Sequence, residues 1–446
     1  MFSLLCRCDW VWKLTSLAGL TGACTAGCAI AVLMRPGCVK RLGWLSLSLS
    51  GFVAVELPEV PNHRLVLAFV SLAFVFSLGV DRRSDNREET TWNAFFPAAR
   101  WTAILVYAFA FFSKLNADFL NPDHSCSIAF YGNIRDTLGG WLPANDGVHS
   151  AIIRITLIVE GALPFLLLWG RTRAIAVLLG LTFHVALGLD VVKLFSNFSA
   201  VMSALLVLFL PTTFFDSWST GKRKLFGRIP TNGPELSKIC VAVFTLLIAF
   251  AILVGQFPAL FFAYKWALFV TWCVVAVVLL TAVIPSFFMT QTPERALRLR
   301  AWPAFAVALV MLNGLSPWLG LKTRTAFNMY SNLRVEAGYS NHFLLPNGGL
   351  DLLGHLEDTV RIIGSSDRDL HETHAESGLN ATYFSLGQTA AARGPVIEIV
   401  YERDGRRFQY FPGRNDPEPL KIPPWILRKL LLYRPIGDGV ERQCIW

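Results

Sequence analysis

Charge is what this chain has least of. Only 16% of its 446 residues are Asp, Glu, Lys or Arg, whereas 54% are hydrophobic, and the mean hydropathy is +0.47. A soluble domain carries about 25% charged and about 45–50% apolar residues. The signatures of soluble nucleotide chemistry are missing too: there is no P-loop, no G-x-G-x-x-G after a strand and no G-x-S-x-G elbow. Basic arms interleaved with aromatics are absent, so the net charge of +9 and the pI near 9.2 do not point to nucleic acid. The nine cysteines supply no metal framework. Cys6 and Cys8 make a single C-x-C with no second pair, and Cys24, Cys28, Cys240 and Cys273 sit in apolar runs as small hydrophobes.

What is present is a series of apolar runs of roughly 16 to 25 residues separated by short charged loops, the pattern of transmembrane helices. We read about ten spans: 14–34, 42–57, 65–80, 101–115, 151–169, 174–193, 196–215, 238–258, 261–288 and 301–318. The first is longer than the apolar core of a signal peptide and is expected to be retained. The second and third are short for a core near 30 Å, which suits a re-entrant or half helix.

Loop charges set the orientation. Arg35, Lys40 and Arg41; Arg171 and Arg173; Lys222, Arg223, Lys224, Arg228 and Lys238; and Arg295, Arg298 and Arg300 mark four basic loops. The loop after residue 114 carries Asp118, Asp123, Asp136 and Asp146 against Arg135. Alternating spans put the basic loops on one face, which the positive-inside rule makes cytoplasmic. The acidic loop and the C-terminus are then expected on the outer face.

From residue 319 onward no run is long enough to span. PVIEIVYERDGRRFQYFP predicts a β-hairpin about Asp404-Gly405, and TVRIIGSS, 359–366, predicts a strand. PPWILRKLLLYRP, 423–435, predicts a basic amphipathic helix that either lies on a membrane surface or packs on the small domain. The domains are therefore 1–318, helical and membrane-embedded, and 319–446, extramembrane.

Three ionisable residues stand out. Lys114 ends the apolar run WTAILVYAFAFF, in the stretch FFSKLNADFLNP. Either its amine snorkels to the headgroups, or it faces a dry interior with a lowered proton affinity and acts as a base. Glu160 and His184 lie inside successive spans that form one helical hairpin, on which they could meet. The run DLHETHAE, 369–376, is not the H-E-x-x-H zinc motif, and we assign no metal site. Asn197-Phe-Ser and Asn380-Ala-Thr are sequons that matter only in a eukaryotic host.

The order SKLNADFL, a polar loop, IVEGALPFLLLWGRTR, LLGLTFHVALGLD and FSNFSAVMSALLVLFLP resembles the horizontally transferred transmembrane (HTTM) family, which includes the vitamin K-dependent gamma-carboxylase. The match is firmest over 95–215, and SPWLGLKTRTAFNMYSNLRVEAGYSNHFLLP is similar to bacterial HTTM-like proteins. The resemblance implies Lys114 as a general base toward a reduced, vitamin K-like quinone, and His184 as a residue the family also carries. It implies Asn116 and Asp118 beside the cofactor and Glu160 as a polar partner. Where the carboxylase has Asp and Trp, this chain has Asn116 and Phe119. The chain also lacks a counterpart of the large lumenal portion that holds protein substrates. The family is widespread in bacteria, which implies a bacterial inner membrane, with the C-terminal domain on the outer face.

The expected fold is thus an all-α polytopic membrane protein of about ten transmembrane helices with a small α+β C-terminal extramembrane domain. The expected partners are the lipid bilayer, a lipophilic small molecule and, for carboxylase-like chemistry, a protein substrate. A non-enzymatic lipid-binding, immunity or assembly module is the alternative. A transporter would need paired broken helices with inverted symmetry, which the sequence does not show.

Overall fold

The structure, a computed structural model, describes residues 15–80, 85–211, 233–284, 297–336, 338–346, 349–412, 420–437 and 444. Cys6, Cys8, Lys222, Arg223, Lys224, Arg228 and Arg295 lie outside the described residues. The chain divides into two compact units. The first comprises Met1–Glu56, Val60–Phe111 and Ala129–Met311; the second comprises Leu57–Glu59, Phe112–Ile128 and Leu312–Trp446.

The first unit is helical. Each of the ten apolar runs carries a helix: α1 (Leu17–Met34), α2 (Val39–Glu56), α3 (Asn62–Leu78), α4 (Arg87–Ser113), α7 (Asp146–Leu168), α8 (Arg173–Leu187), α9 (Ser196–Val207), α10 (Gly233–Gln256), α11 (Phe261–Val283) and α12 (Ala301–Leu315). Two short helices follow α4: α5 (Ala117–Leu120), which belongs to the second unit, and α6 (Cys126–Thr137), whose first turn does. Among the described residues, five helices are long and apolar enough to cross a membrane: Leu17–Met34, Arg87–Ser113, Asp146–Leu168, Ser237–Gln256 and Pro258–Val283. Four more, α3, α8, α9 and α12, are apolar but shorter.

Local chemistry fixes the helix ends. Ser16 caps α1, its Oγ accepting the Gly19 amide at 3.1 Å, and Asn145 caps α7 through the Val148 amide at 3.0 Å. Helices approach closely where glycine removes a side chain. A Cβ on Gly161 of α7 would lie 2.8 Å from the Phe111 ring of α4, and one on Gly180 of α8 would lie 2.7 Å from Leu206 of α9.

The second unit carries the strands. A short pair, β1 (Val335–Glu336) and β2 (Tyr339–Ser340), precedes an antiparallel four-stranded sheet of order β4-β3-β5-β6, with β3 Thr359–Ser365, β4 Ala381–Thr382, β5 Ile399–Arg403 and β6 Arg406–Tyr410. β5 and β6 form a hairpin whose two loop residues, Asp404 and Gly405, have φ of 51° and 73°. Positive φ at both places is what a two-residue turn between right-twisted strands requires. Val360, Ile362, Ile399 and Tyr401 point from the sheet into a core that includes Leu386 and Ala390 of α14 (Tyr383–Arg393). A three-residue turn, α13 (Arg368–Leu370), runs into a wider turn over His371–Glu376.

The terminal segment departs from the expected helix over 423–435. Only Trp425–Leu430 is helical (α15). Beyond it the backbone is committed elsewhere: Leu432 O accepts the amides of Thr323 and Arg324 at 3.1 and 3.2 Å, and Asn380 and Ile436 exchange two hydrogen bonds of 2.7 Å. A longer helix would have to reclaim those groups. Trp425, Ile426 and Leu430 project from α15 and are exposed. A disulfide joins Cys126 to Cys444 within this unit, a link the sequence reading did not anticipate.

Candidate functional site

Lys114 follows the last residue of α4, where the backbone leaves the helix. It is 4% exposed, and its Nζ lies 5.8 Å from the centroid of the fully buried Phe119 ring, within cation–π range. A snorkelling lysine keeps its amine in water. This one is enclosed.

The residues after Lys114 explain how it is held. Asn116 caps α5, its Oδ1 accepting the Phe119 amide at 2.9 Å. Its Nδ2 donates to Ser113 O at 2.8 Å and to Ser331 O at 2.6 Å, while Asn341 Nδ2 donates to its Oδ1 at 3.2 Å. All four ligating positions of the amide are thus used in a residue of 0% exposure. Asp118 forms a buried ion pair with Arg334 at 2.9 Å, and the Arg334 guanidinium also stacks over Tyr339 with 4.8 Å to the ring centroid. His342 Nε2–H donates to Phe112 O at 2.8 Å, and its Nδ1 accepts the Leu344 amide at 3.3 Å.

The partners of this cluster come from the polar segment after α12. Thr325, Phe327, Tyr330 and Asn332 all have positive φ, between 52° and 58°. Only Asn tolerates that region readily, and such residues cost on the order of 1–3 kcal/mol each. Side chains hold the strained path: Asn328 Nδ2 donates to Thr323 O at 2.9 Å, Asn313 Nδ2 to Thr325 O at 3.2 Å, and Asn332 accepts the Cys126 amide at 2.7 Å. Burial pushes the half-buried Lys322 down to about 8. Arg434, which donates to Leu333 O and Asn328 O, is pushed down to about 10 by burial and then by Arg324, against the pull of Glu336.

The other two residues belong to the first unit. Glu160 on α7 and His184 on α8 are 8% and 1% exposed. The Tyr107 hydroxyl of α4 meets His184 Nε2 at 2.7 Å. Phe183 and Phe198 pack against the imidazole. His184 Nδ1 is buried with no partner among the described residues. The structure therefore brings Lys114, Asn116 and Asp118 together in the second unit; in the first, His184 pairs with Tyr107, and Glu160 is buried on α7.

Tyr107, Arg334, Asn341 and His342 were not singled out from sequence. The signal for the last three was there: a run rich in Asn, Ser, Arg and His, NMYSNLRVEAGYSNH, 328–342, beyond the last apolar run, 301–318. The wider turn at 371–376 sends its histidines to different partners, His374 Nδ1 to Leu379 O at 2.9 Å and His371 to Glu376 at 3.8 Å. Asn197 of the first sequon is 7% exposed, buried in α9. Comparison with family models, with curated proteins and with solved structures gives no match to this chain.

Proposed function

We propose that this chain is an HTTM-type integral membrane protein with about ten spans, in which Lys114 acts as a general base toward a lipophilic, quinone-like molecule. The observation that carries the reading is the burial of Lys114 at 4% exposure on the face of Phe119. Enclosure keeps bulk water from the amine, and a general base in such a site delivers its proton transfer to the bound molecule and not to solvent. A reduced quinone, when bound, would supply the acidic hydroxyl and the reducing power of carboxylase-like chemistry.

The chain's own residues divide the remaining work. Asn116 fixes the backbone turn that aims Lys114, and the Asp118–Arg334 pair ties the same turn to the segment after α12. The Tyr107–His184 pair holds a proton within the first unit. The Cys126–Cys444 disulfide supports the outer-face placement of the second unit, since such links persist in oxidising compartments. A second reading, a non-enzymatic membrane module, draws on one observation: the side chains of Asn116 and Asp118 are engaged by the protein's own groups.

Mass spectrometry of the detergent-purified full chain separates the two. A quinone that copurifies with wild type and falls away in Lys114→Ala and Lys114→Arg supports the base. Absence of quinone from all three, or equal retention by all three, removes Lys114 from any ligand site and leaves the module.

A further inference from the structure

A cavity of about 190 Å³ lies within the first unit among α1, α2, α3 and the N-terminal part of α4. It is partly open, and its lining includes Ala29, Leu49 and Phe74 but no charged side chain. Apolar cavities of about 150 Å³ stay dry and accept one benzene-sized guest, so this space holds a ring with a small substituent.

Its polar lining is unusual for such a space. Thr25, Ser46 and Ser71 all face it. Thr25 Oγ1 donates back to Thr21 O at 2.8 Å, as helical hydroxyls in apolar surroundings do. Ser50 and Ser77, on the same helices as the two cavity serines, do likewise, to Ser46 O at 2.9 Å and Ala73 O at 2.7 Å. Ser46 and Ser71 do not. They are 5% and 7% exposed, and neither hydroxyl has a hydrogen-bond partner among the described residues. Each hydroxyl keeps its free surface inside the partly open cavity, where a hydrogen bond to a guest contributes about 0.5–1.5 kcal/mol. Two of them lining one apolar space are matched by a guest that brings an oxygen with it.

We propose that this cavity binds an uncharged lipophile about one aromatic ring in size, bearing a single hydroxyl or carbonyl oxygen that Ser46 and Ser71 contact. The absence of charge in the lining excludes anionic and cationic guests, whose desolvation nothing there would offset. Lys114 is not among the lining residues, and the fate of this site does not depend on the base assignment.

Fluorine NMR on the full chain in detergent micelles, against empty micelles, tests it with 4-fluorobenzyl alcohol, 4-fluorotoluene and 4-fluorobenzoate. The alcohol is expected to give a saturable bound signal about three- to tenfold tighter than the toluene, and the benzoate none. Replacing both Ser46 and Ser71 by Ala, a change that leaves the packing intact, should bring the alcohol down to the toluene's affinity. Ala29→Phe should fill the space and abolish both signals. An alcohol no tighter than the toluene, or an alcohol signal untouched by the double alanine variant, overturns the proposal. So does the absence of any saturable signal in wild type, which makes the cavity a packing void.

Discussion

Asn116 is the place where the structure and the family resemblance give opposite expectations. In the carboxylase an aspartate stands there, so Asn116→Asp looks conservative. The structure says otherwise. Asn116 Nδ2 sits 2.8 Å from Ser113 O and 2.6 Å from Ser331 O. An aspartate would place a carboxylate oxygen against two carbonyl oxygens, in a residue of 0% exposure. Asn116→Ala sets the scale: it removes the α5 cap, about 1 kcal/mol, and leaves two buried carbonyls without donors, about 1–3 kcal/mol each. A loss of about 3–7 kcal/mol follows. Asn116→Asp keeps the cap but adds a desolvated charge, so at neutral pH it should lose at least as much. Its carboxyl would have a folded pKa above the unfolded value of about 3.9. The penalty is then complete above the folded pKa and fades as pH falls toward the unfolded one, because the protonated acid donates where Nδ2 did. Thermal unfolding in detergent, read by tryptophan fluorescence at pH 7.5 and 5 with wild type at each pH, gives the comparison. The Asp variant should close on wild type at pH 5 while the Ala variant does not. An Asp variant as stable as wild type at pH 7.5 would refute the hydrogen-bond arrangement and favour an acid at this place.

Two more expectations rest on single contacts. A Cβ on Gly188 would lie 2.0 Å from Trp272 Nε1, and Trp272 is 1% exposed, so Gly188→Ala should cost about 1–3 kcal/mol by overpacking; Gly51→Ala, with nothing within 4 Å, should be neutral or gain up to about 1 kcal/mol, and equal midpoints for the two would break the argument. Lys322 is pushed from 10.5 down to about 8, so folding disfavours its proton: the cost is full below pH 8 and shrinks as pH rises from 8 to 10.5. Lys322→Met should therefore raise stability at pH 7 by on the order of 3 kcal/mol and flatten the alkaline rise, and a variant that unfolds earlier at pH 7 would show that the ammonium is bonded and not merely desolvated.

The parts of the fold legible in the sequence are those that local physics dictates. An apolar run such as WTAILVYAFAFF can only be helix in a bilayer, and it lies in α4. Asp404-Gly405 between alternating runs can hardly be anything but a tight turn, and it is one. What was not legible depends on long-range pairing. The partners of Asn116 lie 215 and 225 residues away, and Tyr107 is 77 residues from His184. No periodicity encodes such pairs. The terminal helix was overstated for the same reason: WILRKLLLY has the right pattern, but the carbonyl of Leu432 is taken by residues more than a hundred positions earlier.

The Cys126–Cys444 bond also dates the protein's own manufacture. Its two sulfurs are separated by 318 residues, which at about 5–20 residues per second take about 15 to 60 s to synthesise. Throughout that interval Cys126 is a thiol waiting for a partner that does not yet exist, and α7 through α12 are laid down inside the ring the bond will close. Oxidation of this one pair is therefore a receipt that the last strand-pairing segments have arrived: a stalled or truncated chain carries a reactive thiol at residue 126, and a finished one does not.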